Sequence, residues 1–190
     1  MRRVILIHRW DGSPDSDWYK SVSDSLVREG FQVDIPQMPN TKEPEINAWI
    51  NKINEIIPKP NIETYFIGHS IGCQTILRYL EQLKVKTKVG KIVFVAPWFN
   101  LQNLESDKES MKIAKPWIET PIDLINVRSH LTNITTIFSD NDPWVSLSDK
   151  EVFKSILDAK VIVEHNKGHF TSEDGLTDFD LVVKEVVTTK

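Results

Sequence analysis

A single serine lies between two glycines in the stretch Gly68-His69-Ser70-Ile71-Gly72, which has the pattern G-x-S-x-G. The residues before it are apolar and those after it have helical spacing, which predicts a sharp turn from a strand into a helix. Glycine is expected on both sides of the serine because side chains there would collide with neighbouring backbone. A hydroxyl presented at a helix N-terminus, whose N–H groups can bind an oxyanion, is typical of a nucleophile.

A serine nucleophile needs a histidine that accepts its proton and an acid that orients the histidine. In chains with this turn, the order is serine, acid and then histidine. Two histidines follow the last predicted strand. His169 is favoured as the base because it lies beside Gly168, in the loop before the terminal helix. His165 lies almost at the end of the strand, has less freedom to move, and is the alternative.

The acid is expected after the penultimate strand, where the sequence Ser-Asp-Asn-Asp-Pro supplies Asp140 and Asp142. Asp142 is favoured because Pro143 follows it and fixes a turn at the exit from the strand. Asp140 is the alternative, although an aspartate at that position is also suited to capping the turn. The chemistry expected of a serine, an acid and a histidine requires neither a metal ion nor an organic cofactor.

Two backbone N–H groups are expected to bind the oxyanion that forms when the serine attacks a carbonyl group. One belongs to Ile71, and the other to Arg9 or Trp10 in the loop after the first strand. Several tryptophans lie in loops at the same predicted edge of the sheet. Because aromatic side chains dominate apolar pockets, three of them are candidates for an acyl pocket: Trp98, Trp117 and Trp144.

The elements that position these residues are predicted from the spacing of apolar side chains. Six short apolar runs, rich in β-branched residues, predict strands that are buried on both faces, as in a parallel sheet: Val4–Ile7, Phe31–Ile35, Thr64–Ile67, Lys91–Ala96, Ile134–Phe138 and Lys160–Val163. Helical stripes alternate with these runs, at residues 18–27, 46–53, 76–83, 152–157 and 181–187. The alternation predicts a three-layer α/β fold with its ligand at the carboxyl edge of the sheet. Residues 100–126 are expected to form an irregular or short-helical excursion over that edge.

The composition limits the classes of protein and partner. The chain has 190 residues, of which 40% are hydrophobic and 26% charged, so one domain spanning residues 1–190 is expected. A net charge of −4 with no basic block argues against a nucleic-acid partner. No apolar run approaches the roughly 20 residues that span a bilayer. The run Val4–Ile7 is also too short for a signal peptide, so a cytoplasmic location is expected.

Three separated parts of the chain together resemble the small serine hydrolases related to retinoblastoma-binding protein 9: VILIHRWDGSPDSDWY, YFIGHSIGCQTILRYL, and FSDNDPWVS with HNKGHF. The resemblance covers essentially the whole chain. It implies a minimal α/β-hydrolase fold, with a mostly parallel sheet of about six strands and no large cap domain. It also implies that Ser70, Asp142 and His169 form the catalytic triad. Arg9 is a departure, because many α/β hydrolases have glycine there. A solvated loop arginine is expected at this position, and a positive charge that binds an acidic substrate is the alternative.

The function predicted from these residues is hydrolysis of a small ester-type acyl substrate by acyl transfer to water. The resemblance implies activity on simple model esters. An amide, thioester or lactone substrate is an alternative, because the same triad serves all of them. A protein-interaction module on a hydrolase scaffold is an alternative of another class, since a fold does not fix a function. The expected partner is a small-molecule acyl substrate, and a protein partner cannot be read from the sequence.

Overall fold

A parallel β-sheet forms the centre of the molecule, in a computed structural model that describes residues 1–104 and 107–188. Within these residues every neighbouring pair of strands is parallel. All six predicted strands are present, and their ends differ from the prediction by at most two residues: β1 (Arg3–Ile7), β2 (Gln32–Asp34), β3 (Thr64–His69), β4 (Lys91–Val95), β5 (Asn133–Ser139) and β6 (Lys160–Glu164). The predicted α/β fold class is therefore confirmed.

Helices connect the strands and cover the sheet: α1 (Tyr19–Arg28), α2 (Ile46–Ile56), α3 (Ile71–Glu81), α4 (Lys108–Glu119), α5 (Leu124–His130), α6 (Lys150–Leu157) and α7 (Asp180–Val187). Helices α1 and α7 pack against each other, whereas α2, α3, α5 and α6 pack in succession as a second group. The central strands are buried between these groups, which explains their continuous apolar sequences. Two apolar residues of the predicted stripes face solvent instead, since Val27 is 55% and Ile156 is 38% exposed.

The order of the strands creates a crevice at one edge of the sheet. The order is β2-β1-β3-β4-β5-β6. The connection that follows β1 therefore leads to the strand on one side of the sheet, and the connection that follows β3 leads to the strand on the other side. In open α/β sheets, ligands bind outside the carboxyl ends of the strands at the place where the winding reverses. The carboxyl ends of β1 and β3 lead to Arg9 and Ser70, respectively. The topology thus brings the two loops with predicted catalytic groups together.

The connection between β4 and β5 is more helical than expected from the sequence. It contains α4, which has 12 residues, and α5, which has seven. The carboxylate of Asp107 caps α4 by accepting hydrogen bonds from the N–H groups of Glu109 and Ser110. In the described part of the chain this connection carries no large cap domain, and no described helix is both long and apolar enough to cross a membrane.

Candidate active site

Ser70 lies on a strained turn between β3 and α3. Its backbone φ angle is +54°, a conformation that is uncommon for any residue other than glycine. The Ser70 N–H group donates a hydrogen bond to the carbonyl oxygen of Val95, at 2.9 Å, and so ties the turn to β4. The residue is only 6% exposed. This geometry matches a turn that presents a serine hydroxyl at the edge of the sheet.

The two glycines that flank Ser70 allow other backbone segments to come very close. A Cβ atom at Gly72 would lie 2.2 Å from the carbonyl oxygen of Ile7, at the end of β1. A Cβ atom at Gly68 would lie 2.8 Å from the backbone nitrogen of Cys73, on the first turn of α3. Neither contact can be relieved by a side-chain rotation, because the atoms that are met belong to the backbone. The G-x-S-x-G pattern is thus explained by steric requirements at both glycines.

Asp142 lies in the loop after β5 and is fixed in orientation by the backbone that follows it. One carboxylate oxygen, Oδ1, accepts hydrogen bonds from the N–H groups of Trp144 and Val145, at 2.9 and 3.0 Å. The other oxygen, Oδ2, lies 2.8 Å from Nδ1 of His169. The side chain of Asp142 is 1% exposed and that of His169 is 12% exposed. Because a carboxylate can only accept, the Nδ1–H group of His169 is the donor.

The loop that carries His169 is bound residue by residue to the loop that carries Asp142. Three successive backbone N–H groups donate to three side-chain oxygens of the acid loop, at 2.8–3.0 Å: Asn166 to Asp140, Lys167 to Ser139 and Gly168 to Asn141. The next contact in the series is the one between His169 and Asp142. The sequence Ser-Asp-Asn-Asp therefore does more than supply an acid, because it also sets the position of the histidine.

Asp174 is a further residue that orients His169, and the sequence reasoning missed it. Its Oδ2 atom accepts hydrogen bonds from the N–H group of His169, at 2.9 Å, and from the N–H and hydroxyl groups of Thr171, at 3.0 and 2.8 Å. The available sequence signal is a threonine followed three residues later by an aspartate, which is typical of a tight turn closed by side chains.

The alternative acid and base contact each other rather than the predicted catalytic residues. Nδ1 of His165 lies 2.5 Å from Oδ2 of Asp140, and the His165 side chain is 80% exposed. Neither residue lines the cleft that contains Ser70. The structure therefore brings together Asp142 and His169 and separates Asp140 and His165 from them.

The two candidates for the second oxyanion donor differ in their hydrogen bonding. The N–H group of Arg9 donates to the hydroxyl oxygen of Tyr19, at 3.2 Å. The N–H groups of Trp10 and Ile71 have no hydrogen-bond acceptor among residues 1–104 and 107–188. A solvated arginine was expected at position 9, but the structure differs. The Nε atom of Arg9 lies 2.8 Å from a carboxylate oxygen of Asp17, whose side chain is buried.

Ser70 and His169 both line a cleft of about 880 Å³, which is within the size range of small-molecule sites. Five apolar residues line the cleft: Leu101, Leu104, Ile113, Pro143 and Trp144. Charged residues also line the cleft: Arg9, Lys42, Asp11, Glu43, Asp107, Glu109, Glu173 and Asp174. The cleft thus combines apolar and charged residues with the predicted nucleophile and base.

The three tryptophans predicted for an acyl pocket have different positions. Trp144 lines the cleft and is 42% exposed. Trp98 is buried, and its indole Nε1–H group lies 3.4 Å from the Oγ atom of Ser70. Trp117 does not line the cleft. It is buried in the core, where its indole N–H group donates to the carbonyl oxygen of Pro44 at 2.9 Å, so the prediction for Trp117 needs correction.

His69, the residue before the predicted nucleophile, is completely buried. Burial is the main cause that lowers the pKa of His69 to about 3, and the neighbouring His169 side chain contributes further. The ring is therefore neutral near pH 7.

The depressed pKa of His69 predicts a loss of stability in acid. Between about pH 6.5, the ordinary histidine value, and pH 3, the unfolded chain binds a proton at this residue that the folded protein does not. The free energy of unfolding should therefore fall by up to about 1.4 kcal/mol per pH unit on account of His69. Urea unfolding at pH 7, 6, 5 and 4 measures this slope. In a His69→Gln variant, the free energy of unfolding should fall less steeply as the pH is lowered, by the amount due to one proton. Equal pH dependence of the two proteins would contradict this prediction.

Comparisons with known proteins identify the family. A family model described as serine hydrolase matches residues 4–188. The chain is 24% identical to YdeN of Bacillus subtilis (strain 168), over 95% of this chain and 92% of YdeN. It is also 24% identical to the serine hydrolase RBBP9 of Rattus norvegicus, over 90% of this chain and 87% of the relative.

Solved structures show the same fold. The crystal structure of the ydeN gene product from B. subtilis has a TM-score of 0.87 and 24% sequence identity, and the match covers 97% of this chain and 96% of that one. Est1E of Butyrivibrio proteoclasticus, with ferulic acid bound, has a TM-score of 0.73 and 14% identity, and the match covers 98% of this chain and 87% of that one. At sequence identities below 25%, these structural matches show the fold only.

Proposed function

The chain belongs to the serine hydrolase family, and from this premise we propose that it hydrolyses a small acyl ester through an acyl-enzyme formed on Ser70. The observation that carries the proposal is the 2.8 Å contact between His169 and Asp142, on a cleft that both His169 and Ser70 line. A histidine oriented by a buried acid is the arrangement that activates a serine hydroxyl.

In the first half of the proposed reaction, the hydroxyl oxygen of Ser70 attacks the carbonyl carbon of the ester. His169 accepts the hydroxyl proton, and the carboxylate of Asp142 stabilises the imidazolium that forms. The carbonyl oxygen becomes an oxyanion. When the tetrahedral intermediate collapses, the bond to the leaving alcohol breaks, and His169 returns the proton to that alcohol. The product of this half-reaction is an ester between the acyl group and Ser70.

In the second half, His169 removes a proton from water, and the resulting oxygen nucleophile attacks the carbonyl carbon of the acyl-enzyme. Collapse of the second tetrahedral intermediate releases the carboxylic acid, and His169 returns the proton to the oxygen of Ser70. These steps use one water molecule for each ester cleaved, and no metal ion or organic cofactor takes part in them.

The oxyanion is proposed to bind the backbone N–H groups of Ile71 and Trp10. Ile71 is the first residue of α3, so its N–H group belongs to the helix-terminal donors that have no partner within the helix. Trp10 is preferred to Arg9, because the N–H group of Arg9 already donates to Tyr19. The positive end of the α3 dipole supports the same role, since it favours negative charge beside Ile71.

The acyl group is proposed to lie against the apolar residues of the cleft, which include Ile113 of α4. Changing Ile113 to tryptophan should fill part of this space. We expect kcat/KM for p-nitrophenyl octanoate to fall about tenfold and kcat/KM for the acetate to change less than twofold, because only the long chain needs the lost space. Ile125→Trp is the matched control, since Ile125 lies on α5, is 73% exposed and is outside the cleft. Equal losses for both esters would contradict this placement.

The proposed function is tested with purified protein and a panel of p-nitrophenyl esters, in which the acyl chain is varied from two to about ten carbon atoms. A matched thioester, anilide and lactone extend the panel to the other acyl bonds that the same residues can cleave. The expected result is saturable turnover that is fastest with an ester. Faster turnover of another acyl bond would change the proposed substrate class. Failure to hydrolyse any member, in protein that unfolds cooperatively, would contradict the proposed function.

A further inference from the structure

We propose that His69 is a positioning residue, which holds the backbone of His169 in place for proton transfer, and this inference rests on the function proposed above. His69 ends β3 and directly precedes Ser70. Its ring lies between α1 and the His169 loop, with Nε2 at 2.8 Å from the carbonyl oxygen of His169 and Nδ1 at 2.7 Å from the hydroxyl of Tyr19. No step of the reaction described above uses this buried imidazole.

The two contacts define which nitrogen of His69 carries the proton. A carbonyl oxygen can only accept, so Nε2 must carry a hydrogen and donate it to His169. Since the buried ring is neutral, Nδ1 is then an acceptor, and the hydroxyl of Tyr19 donates to it. The oxygen of Tyr19 in turn accepts the N–H group of Arg9, at 3.2 Å. A directed chain of hydrogen bonds therefore runs from the loop after β1, through Tyr19 and His69, to the backbone of His169.

The contact with His69 completes the constraints on the peptide groups around His169. The N–H group of His169 donates to Asp174 at 2.9 Å, and its carbonyl group accepts from His69 at 2.8 Å. The next carbonyl group, that of Phe170, accepts the indole N–H group of Trp18 at 2.9 Å. Two buried rings thus hold two successive carbonyl groups of the loop. With Nδ1 of His169 bound to Asp142, the backbone and the ring are both fixed.

The position of His69 makes this role specific to catalysis rather than to general packing. Its ring centroid lies 5.4 Å from that of His169, and its backbone is joined directly to Ser70. The same side chain therefore fixes the distance between the segment that carries the predicted nucleophile and the segment that carries the predicted base. Small errors in such a distance lower the rate of proton transfer strongly, and a displacement of about 1 Å can cost on the order of 10²-fold.

The test compares three replacements of His69 with the unchanged protein. Glutamine can place an amide N–H group near the position of Nε2, asparagine can place one only near Nδ1, and leucine offers no donor. For p-nitrophenyl acetate we expect His69→Leu and His69→Asn to lower kcat by on the order of 10²-fold, with KM changed less than about threefold. His69→Gln should restore kcat to within about tenfold of the unchanged protein. Each kcat is expressed per active site, counted by the burst of product released on acylation.

His130 provides the matched control for the loss of a buried histidine. It is also completely buried, and Nδ1 of its ring contacts the carbonyl oxygen of Thr87 at 2.8 Å, outside the cleft. His130→Leu should lower the stability to urea but leave kcat per active site unchanged. If His69→Leu, His69→Asn and His69→Gln all had the kcat of the unchanged protein, or if glutamine restored no more activity than leucine, the positioning role would be overturned.

A second measurement separates this inference from the proposed function, because it requires no substrate. In ¹⁵N NMR of histidine-labelled protein, His69 should show a protonated Nε2 and an unprotonated Nδ1. The ring resonances of His169 should shift in His69→Leu and return toward their original positions in His69→Gln. A protonated Nδ1 in His69, or His169 resonances that do not change, would overturn the inference whether or not the protein hydrolyses esters. Absence of turnover with these NMR results present would count against the proposed function alone.

Discussion

Replacing Ser70 by alanine is expected to lower kcat for p-nitrophenyl acetate by on the order of 10⁶-fold, the magnitude seen when a serine hydrolase loses its nucleophile. The physical reason is that no acyl-enzyme can form, and water must then attack a substrate that is merely bound. The backbone turn should persist, because the Ser70 N–H group that bonds to Val95 is retained. Initial rates at saturating ester, with the urea midpoint as a test of folding, measure the effect.

Ser155→Ala is the matched control for this change. Ser155 is an exposed residue of α6, and its hydroxyl group donates to the carbonyl oxygen of Glu151 in the same helix. Its replacement should leave kcat and KM within about twofold of the values for the unchanged protein. A Ser70→Ala variant that kept a substantial part of the activity would show that another group attacks the ester.

Replacing Asp142 by asparagine is expected to lower kcat by about 10⁴-fold with little loss of stability. The asparagine oxygen can still accept the N–H groups of Trp144 and Val145, which now bond to Oδ1 of Asp142. Its NH₂ group, however, would face Nδ1 of His169 in place of Oδ2. An NH₂ group and an Nδ1–H group cannot form a hydrogen bond with each other, because both are donors. His169 would therefore accept at Nδ1 and carry its proton on Nε2. In that tautomer it cannot accept the proton of Ser70.

Asp140→Asn distinguishes this explanation from a general effect of charge in the loop. The asparagine oxygen can still accept the N–H group of Asn166, so the loop contact should be preserved. We expect kcat to change less than about fivefold, because Asp140 contacts His165 and not His169. Steady-state kinetics of both variants on one ester provides the comparison. A larger loss of kcat in the Asp140 variant than in the Asp142 variant would show that Asp142 is not the catalytic acid.

The four central strands could be predicted from the sequence because they are buried on both faces, whereas the edge strands β2 and β6 are only partly buried, contrary to the expectation for all six. A strand covered by helices on each side must be apolar along its whole length, and runs such as Val4–Ile7 and Lys91–Ala96 carry that signal directly. The turn at Ser70 could also be predicted from the sequence, because the close backbone contacts at Gly68 and Gly72 allow only glycine at these two positions. The strands and the position of the serine can therefore be predicted from short segments of the sequence.

Helix α4 was harder to predict, because its sequence contains conflicting signals. Pro116 lies inside the helix, where proline removes a backbone hydrogen bond, and the first turn is polar. The helix forms because tertiary contacts outweigh these preferences. Trp117 is buried, and the guanidinium group of Arg78 donates to the carbonyl groups of Trp117 and Thr120 at the end of the helix. The same packing explains why Trp117 lies in the core rather than in the cleft.

The side-chain contacts that orient the site could not be read from the sequence at all. Arg9 pairs with the buried carboxylate of Asp17 inside the loop between β1 and α1. His69, at the end of β3, contacts His169, which is 100 residues away in the sequence. Residue type and spacing carry no signal for such contacts, because an arginine in a loop is most often solvated and a histidine is found both buried and exposed. The residues with the expected chemistry could thus be predicted, whereas those that orient them could not.

Covalent labelling with a fluorophosphonate tests the central claim most directly. This probe phosphonylates an activated serine, so the intact mass should rise by one adduct per chain, and peptide mapping should place the adduct on Ser70. The Ser70→Ala variant should remain unlabelled, while Ser155→Ala should be labelled at the rate of the unchanged protein. An adduct on a different residue, or labelling of Ser70→Ala at an undiminished rate, would contradict the assignment of Ser70 as the nucleophile.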